Sequence, residues 1–70
     1  MVKTNDLKAE IVRNGFTIAK LAHRVGMTKS TLSRKIRNLS PLTITEATSI
    51  AHALGKTIEE FSIFFDDKLL

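Results

Sequence analysis

The 70-residue sequence predicts an all-α fold of five short helices, and three observations carry that prediction. Apolar residues recur every three or four positions from Leu7 to Phe65, and no stretch alternates in a way that needs a strand. Thr17, Thr28, Thr43 and Thr57 each stand just ahead of such a pattern, where an N-cap hydroxyl accepts a hydrogen bond from a free helix amide. Gly15, Gly26 and Gly55 follow the patterns at the C′ position, where a left-handed residue ends a helix.

Taken in order, the first helix covers approximately residues 5 to 14 and turns Leu7 and Ile11 inward. The second, residues 18 to 25, opens at Thr17 and buries Ile18, Leu21, Ala22 and Val25. Phe16 precedes its cap and can pack on Leu21, a staple from N′ to N4 that fixes how the chain enters the helix. The third, residues 29 to 38, opens at Thr28 with Met27 placed to staple onto Leu32, and its inner face is Leu32 and Ile36. Asn38-Leu39-Ser40-Pro41 then interrupts regular structure, Pro41 biasing Ser40 toward an extended conformation. The fourth, residues 44 to 54, has the capping-box pair Thr43 and Glu46 and an inner face of Ile44, Ala47, Ile50, Ala51 and Leu54. The fifth, residues 58 to 65, has the pair Thr57 and Glu60 and buries Ile58, Phe61 and Phe65, leaving Asp66 to Leu70 as a tail.

A chain of this length makes one domain, residues 1–70, able to bury only about 60% of its unfolded surface. With 43% hydrophobic residues, four Phe and no Trp or Tyr, its core must be built mainly from Ile, Leu, Val and Ala, which suits helices at close approach. The absence of Cys excludes disulfides and thiolate-bound zinc. No apolar run approaches the roughly 20 residues of a membrane span, and the first 20 residues lack a signal peptide's apolar core, so a cytoplasmic protein is expected.

The net charge of +4 is unevenly spread. Residues 1 to 10 sum to zero, 11 to 45 to +7 without a single acid, and 46 to 70 to −3. Such a patch reads either as a solvated basic surface or as a site for a polyanion. Inside it lies Leu21-Ala22-His23-Arg24-Val25-Gly26-Met27-Thr28-Lys29-Ser30-Thr31-Leu32, the pattern of a helix-turn-helix. Two helices crossing steeply need a small residue at the crossing and a turn that tolerates positive φ, and Ala22 and Gly26 meet those needs four residues apart. With Leu32 and Ile36 inward, Ser30, Arg34 and Arg37 point away from the core, and Lys29 and Ser33 flank one side.

The segment from Ile18 to Asn38, followed by Thr43 to Leu54 and Thr57 to Phe65, resembles the five-helix, lambda-repressor-like DNA-binding domain of the phage Cro and CI repressors, the XRE-type transcriptional regulators. "ALG" at Ala53 to Gly55 and "TIEEF" at Thr57 to Phe61 look like that family's passage from fourth to fifth helix, and the likeness covers residues 5 to 65. The resemblance implies that the third helix enters the major groove while the second lies across the backbone. Lys29, Ser30, Ser33 and Arg34 would then read bases, Arg34 foremost, because a guanidinium donates two parallel bonds to guanine O6 and N7. Lys20 and Arg24, one turn apart on the second helix, suit phosphates, and Thr17, Thr28 and Thr31 add hydroxyls whose other reading is capping. Lys35 and Arg37 read either as backbone contacts or as solvated cations. The chain departs from the family pattern at Lys35, where an aliphatic residue is usual and Ile36 takes the apolar role, and at Asn38-Leu39 in place of Asn-Gly. Asn38 can still adopt the left-handed conformation.

His23 and His52 stand apart with no ligand spacing around them, and no Gly-rich phosphate loop or nucleophile elbow surrounds the Ser and Thr residues. No enzyme, no metal and no cofactor is expected. Phe61, Ile63, Phe64, Phe65, Leu69 and Leu70 exceed what one face of a short helix accommodates. That end reads either as a homodimer interface through Phe61, Phe64, Phe65 and Leu69 or as a fuller internal core, and the resemblance favours the dimer. The expected function is that of a Cro-type phage or prophage repressor in the bacterial cytoplasm or nucleoid, binding a two-fold symmetric duplex operator. At 70 residues a CI-type second domain with regulated self-cleavage is not expected. The alternative is an antirepressor or antitoxin-like module that meets a protein partner at the Phe-rich end.

Overall fold

A computed structural model describes residues 1–66, and five α-helices follow one another along them: α1 (Thr4–Arg13), α2 (Ile18–Arg24), α3 (Lys29–Ile36), α4 (Ile44–Ala53) and α5 (Ile58–Phe61), with a 3-10 turn at Ser62–Phe64. The four Thr residues cap α2 to α5 as the sequence predicts, each hydroxyl accepting from the amide three residues on. At α4 and α5 the reciprocal half is made as well, Glu46 and Glu60 accepting from the Thr43 and Thr57 amides at 2.9 and 2.8 Å. Those amide hydrogen bonds first, and then Lys35 beside Glu46 and the Lys56 charge near Glu60, hold both carboxyls below the ordinary carboxylate range.

Helices α1 to α4 all end alike. After α2 the Met27 amide reaches back to the Ala22 carbonyl at 2.8 Å and the Gly26 amide to His23, a Schellman closure that requires the +77° φ of Gly26. A Cβ there would meet nothing within 4 Å, so it is the backbone angle and not space that favours glycine. After α3 the same pair of bonds runs from Leu39 to Arg34 and from Asn38 to Lys35, with Asn38 at φ +64°. The left-handed role expected of Asn38 is therefore met without glycine.

The core is continuous, with Leu7, Ile11, Leu21, Leu32, Ile36, Ile50 and Phe61 sealed from solvent and Phe16, Ile18, Val25, Met27 and Ile58 packed around them. Ile44, expected inside, is 49% exposed as the first residue of α4, ahead of the turn where Ala47, Ile50 and Ala51 begin the buried face. The chain's ends add a contact that no sequence signal announced. Val2 and Phe65 form an antiparallel bridge, flanked by bonds from Lys3 N–H to the Phe64 carbonyl at 2.7 Å and from Asp66 N–H to the Met1 carbonyl at 2.9 Å. Asn38 clasps the same strand-like segment with its side chain, accepting from Val2 N–H at 2.8 Å and donating to the Val2 carbonyl at 3.0 Å.

The C-terminal end corrects the expected helix over residues 58 to 65 and the interface assigned to it. The α-helix stops at Phe61, tightens through the 3-10 turn and becomes extended at Phe65. Phe61, Phe64 and Phe65 are only 0, 6 and 8% exposed, and the Phe61 ring meets the other two at 5.6 and 5.5 Å between centroids in tilted and edge-on contacts. These three rings fill the chain's own core, so they offer little surface to a second copy. Ile63, between them, points out at 65% exposure, and the interface assignment of Leu69 lies outside the described residues.

Candidate nucleic-acid interface

Helix α3 is held from beneath and open above. Leu32 and Ile36 are fully buried, while Lys29, Ser30, Thr31, Arg34 and Arg37 are exposed and Ser33 is half-buried. At 100° a residue, Arg34 stands almost opposite the midpoint of Leu32 and Ile36, the position from which a long side chain projects furthest from the core. Its C-terminal end is pinned by the Thr4 hydroxyl, which donates to the Ile36 carbonyl at 2.7 Å, and by the Asn38 clasp. No sequence signal singled out Thr4, whose role depends on a residue 32 positions away.

Of the seven basic residues between Ile11 and Thr45, Lys35 is withdrawn from any polyanion. Lys35 Nζ lies 3.1 Å from Glu46 Oε1 and donates to the Pro41 carbonyl at 2.7 Å, its side chain only 14% exposed. The expected backbone contact at Lys35 is thus corrected: its register brings it against the loop before α4, where it braces α3 instead of facing outward. Arg13 pairs with Glu10 at the end of α1, its side chain 69% exposed. Lys20, Arg24, Lys29, Arg34 and Arg37 remain, and among the described residues none of them pairs with a carboxylate. The patch is smaller than the sequence suggests and more concentrated on the outward sides of α2 and α3.

Within that set the environments differ. Arg24 lies over the Phe16 ring, its guanidinium carbon 5.6 Å from the centroid. Arg37, the C-cap of α3, donates weakly from Nε to the Ser33 carbonyl at 3.4 Å. The Thr17 hydroxyl oxygen accepts from the Lys20 amide at 3.1 Å and keeps its proton for another acceptor. Thr28 differs, because it accepts from the Thr31 amide and donates to Thr31 Oγ1 at 2.9 Å, so Thr31 carries the outward donor of that pair. Lys29, Ser30 and Arg34 side chains make no hydrogen bond or ion pair among the described residues.

Glu10 is the functional-looking residue that sequence reasoning missed, and its role is structural. It is 7% exposed, pairs with Arg13, accepts from Asn14 Nδ2 at 2.9 Å and sits 3.3 Å from Lys56 Nζ, tying α1 to the turn between α4 and α5. The Asn14 hydrogen bond and the adjacent Lys56 and Arg13 charges hold its carboxyl below the ordinary range against the opposing effect of burial. An acid at a polar position of an amphipathic helix gives no hint of this, because Asn14 and Lys56 are set by the fold.

His23 and His52 are exposed, and among the described residues no cluster of His, Cys, Asp or Glu could hold a metal ion and no helix is long and apolar enough to cross a membrane. The helix-turn-helix family model HTH_3 matches residues 7–61. No curated protein and no solved structure matches the chain. The matched span runs from the inner face of α1 to Phe61 and contains the α2–α3 unit with its outward cations, and the chain belongs to this XRE-type helix-turn-helix family of DNA-binding transcription regulators.

Proposed function

We propose that the chain is a Cro-type repressor that binds a two-fold symmetric operator as a dimer and acts by covering a promoter. The observation that carries this reading is the outer face of α3, where Lys29, Ser30 and Arg34 are exposed and make no hydrogen bond or ion pair among the described residues, on a helix sealed underneath by Leu32 and Ile36. Lys29, Ser30, Ser33 and Arg34 read base edges, with Arg34 bidentate to a guanine, and Lys20, Arg24, Thr17, Thr31 and Arg37 hold phosphates. Thr28 serves first as the cap of α3. The half-sites lie about 34 Å apart, one helical turn. The dimer contact comes from apolar side chains left outside the core, of which Ile63 belongs to the C-terminal segment and Leu39 and Ile44 flank the turn after α3.

Selection of duplexes from a random library tests the reading. The expected outcome is an inverted repeat, and Arg34→Ala weakens binding to the selected site by about 1 to 3 kcal/mol while relaxing one position of each half-site. Equal loss on selected and random duplex removes Arg34 from readout, and a selected site without two-fold symmetry removes the dimer.

A further inference from the structure

We infer that Phe16 is a positioning residue for DNA backbone binding, holding the Arg24 guanidinium beside Lys20 so that the two cations meet phosphates as a fixed pair. Phe16, Lys20 and Arg24 are spaced four apart, and with Ala19 and His23 they line one shallow depression on the outer side of α2. The ring itself is anchored. Phe16 is half-buried against the core, its amide bonds the Ile11 carbonyl at 3.1 Å as part of the closure of α1, and the next residue caps α2. Arg24 is exposed, and its guanidinium lies over this ring at 5.6 Å, with no carboxylate partner among the described residues.

The guanidinium can serve both contacts at once. The cation over the ring is attracted to the ring quadrupole, and a guanidinium carries five in-plane N–H donors, more than one ring can engage, so donors stay free to bond phosphate oxygens. A long side chain otherwise loses several rotatable bonds' freedom when it is fixed on a ligand, and a ring that already confines it removes part of that loss. The sequence reading assigned Phe16 only the staple onto Leu21. The contact with Arg24 adds a second role that hydrophobic packing does not require.

The inference rests on Arg24 being a phosphate contact, and the experiment separates the two. Binding of a fluorescein-labelled mixed-sequence duplex of about 20 base pairs, long enough for a protomer pair, is measured for Phe16→Leu, Arg24→Ala and the double variant. Phe16→Leu keeps an apolar staple and Phe16→Tyr keeps the ring. Phe16→Leu is expected to weaken binding about two- to fivefold, Phe16→Tyr to bind as the parent does, and the Phe16→Leu loss to vanish in the Arg24→Ala background. In parallel the order parameter of the Arg24 Nε–H falls in Phe16→Leu and is retained in Phe16→Tyr, a readout that a purely structural role would not move. If Arg24→Ala leaves affinity unchanged, the backbone role of Arg24 fails and the inference with it. If Arg24→Ala weakens binding but Phe16→Leu costs the same with and without Arg24, or leaves the order parameter unchanged, the positioning role alone is overturned.

Discussion

Replacing Asn38 separates two contributions that most turn residues combine. Its side chain makes two hydrogen bonds to the Val2 backbone, at 2.8 and 3.0 Å and both partly buried, and its own backbone stands at φ +64°. Each bond contributes about 0.5 to 1.5 kcal/mol net, so Asn38→Gly, which accepts the positive φ, should cost about 2 kcal/mol. Asn38→Ala loses the same bonds and adds a left-handed alanine, about 1 kcal/mol more. For a domain of this size those losses lower the melting temperature by about 8 to 16 °C and about 12 to 24 °C respectively. Urea unfolding followed by helical circular dichroism measures both, and hydrogen exchange at the Val2 amide reports the clasp directly. The reasoning fails if Ala is no worse than Gly, or if the Val2 amide stays protected when either replaces Asn38.

Glu10, Glu46 and Glu60 are all held below the ordinary value of 4.5, so they stabilise the fold fully above it, and that stability is lost as pH falls through their lowered folded values. Urea midpoints between pH 7 and 3 should therefore fall with acid, and Glu10→Gln should flatten that dependence; an unchanged pH profile contradicts the Glu10 cluster. Lys35→Ala should lower stability by breaking the brace to Glu46 and Pro41 while leaving the salt dependence of DNA binding unaltered, whereas Lys20→Ala should reduce that slope by about 1. Identical slopes for the two variants would return Lys35 to the interface. Ile63→Asp should lower self-association in sedimentation without altering the helical spectrum; unchanged sedimentation would remove this position from any dimer contact.

Local grammar was legible in the sequence and long-range closure was not. Thr caps, capping boxes and the C′ residues act within six positions, so all four caps and the left-handed Asn38 could be read from neighbours alone. The outward set on α3 was readable for the same reason, since Leu32 and Ile36 fix the helix rotation. Lys35 was misplaced because its partner Glu46 lies on another helix and its charge suggested solvent. The Phe residues were misassigned because counting faces on one regular helix ignores the 3-10 turn and the extended Phe65, which bring Phe64 and Phe65 back onto Phe61. The Val2–Phe65 bridge pairs the two ends of the described chain, a contact that periodicity cannot encode.

The outer face of α3 bears on how such a protein can change over evolutionary time. The side chains of Lys29, Ser30 and Arg34 seal no core and make no bond to the rest of the described chain, and the cap at Thr28 works through its own hydroxyl and the Thr31 amide. Substitutions at these three positions should therefore be nearly neutral for folding, as surface changes away from caps and cores usually are. New operator preferences can be explored by mutation one position at a time without passing through unfolded ancestors. In a gene family under pressure to escape cross-regulation, that separation lets recognition drift while the scaffold stays fixed.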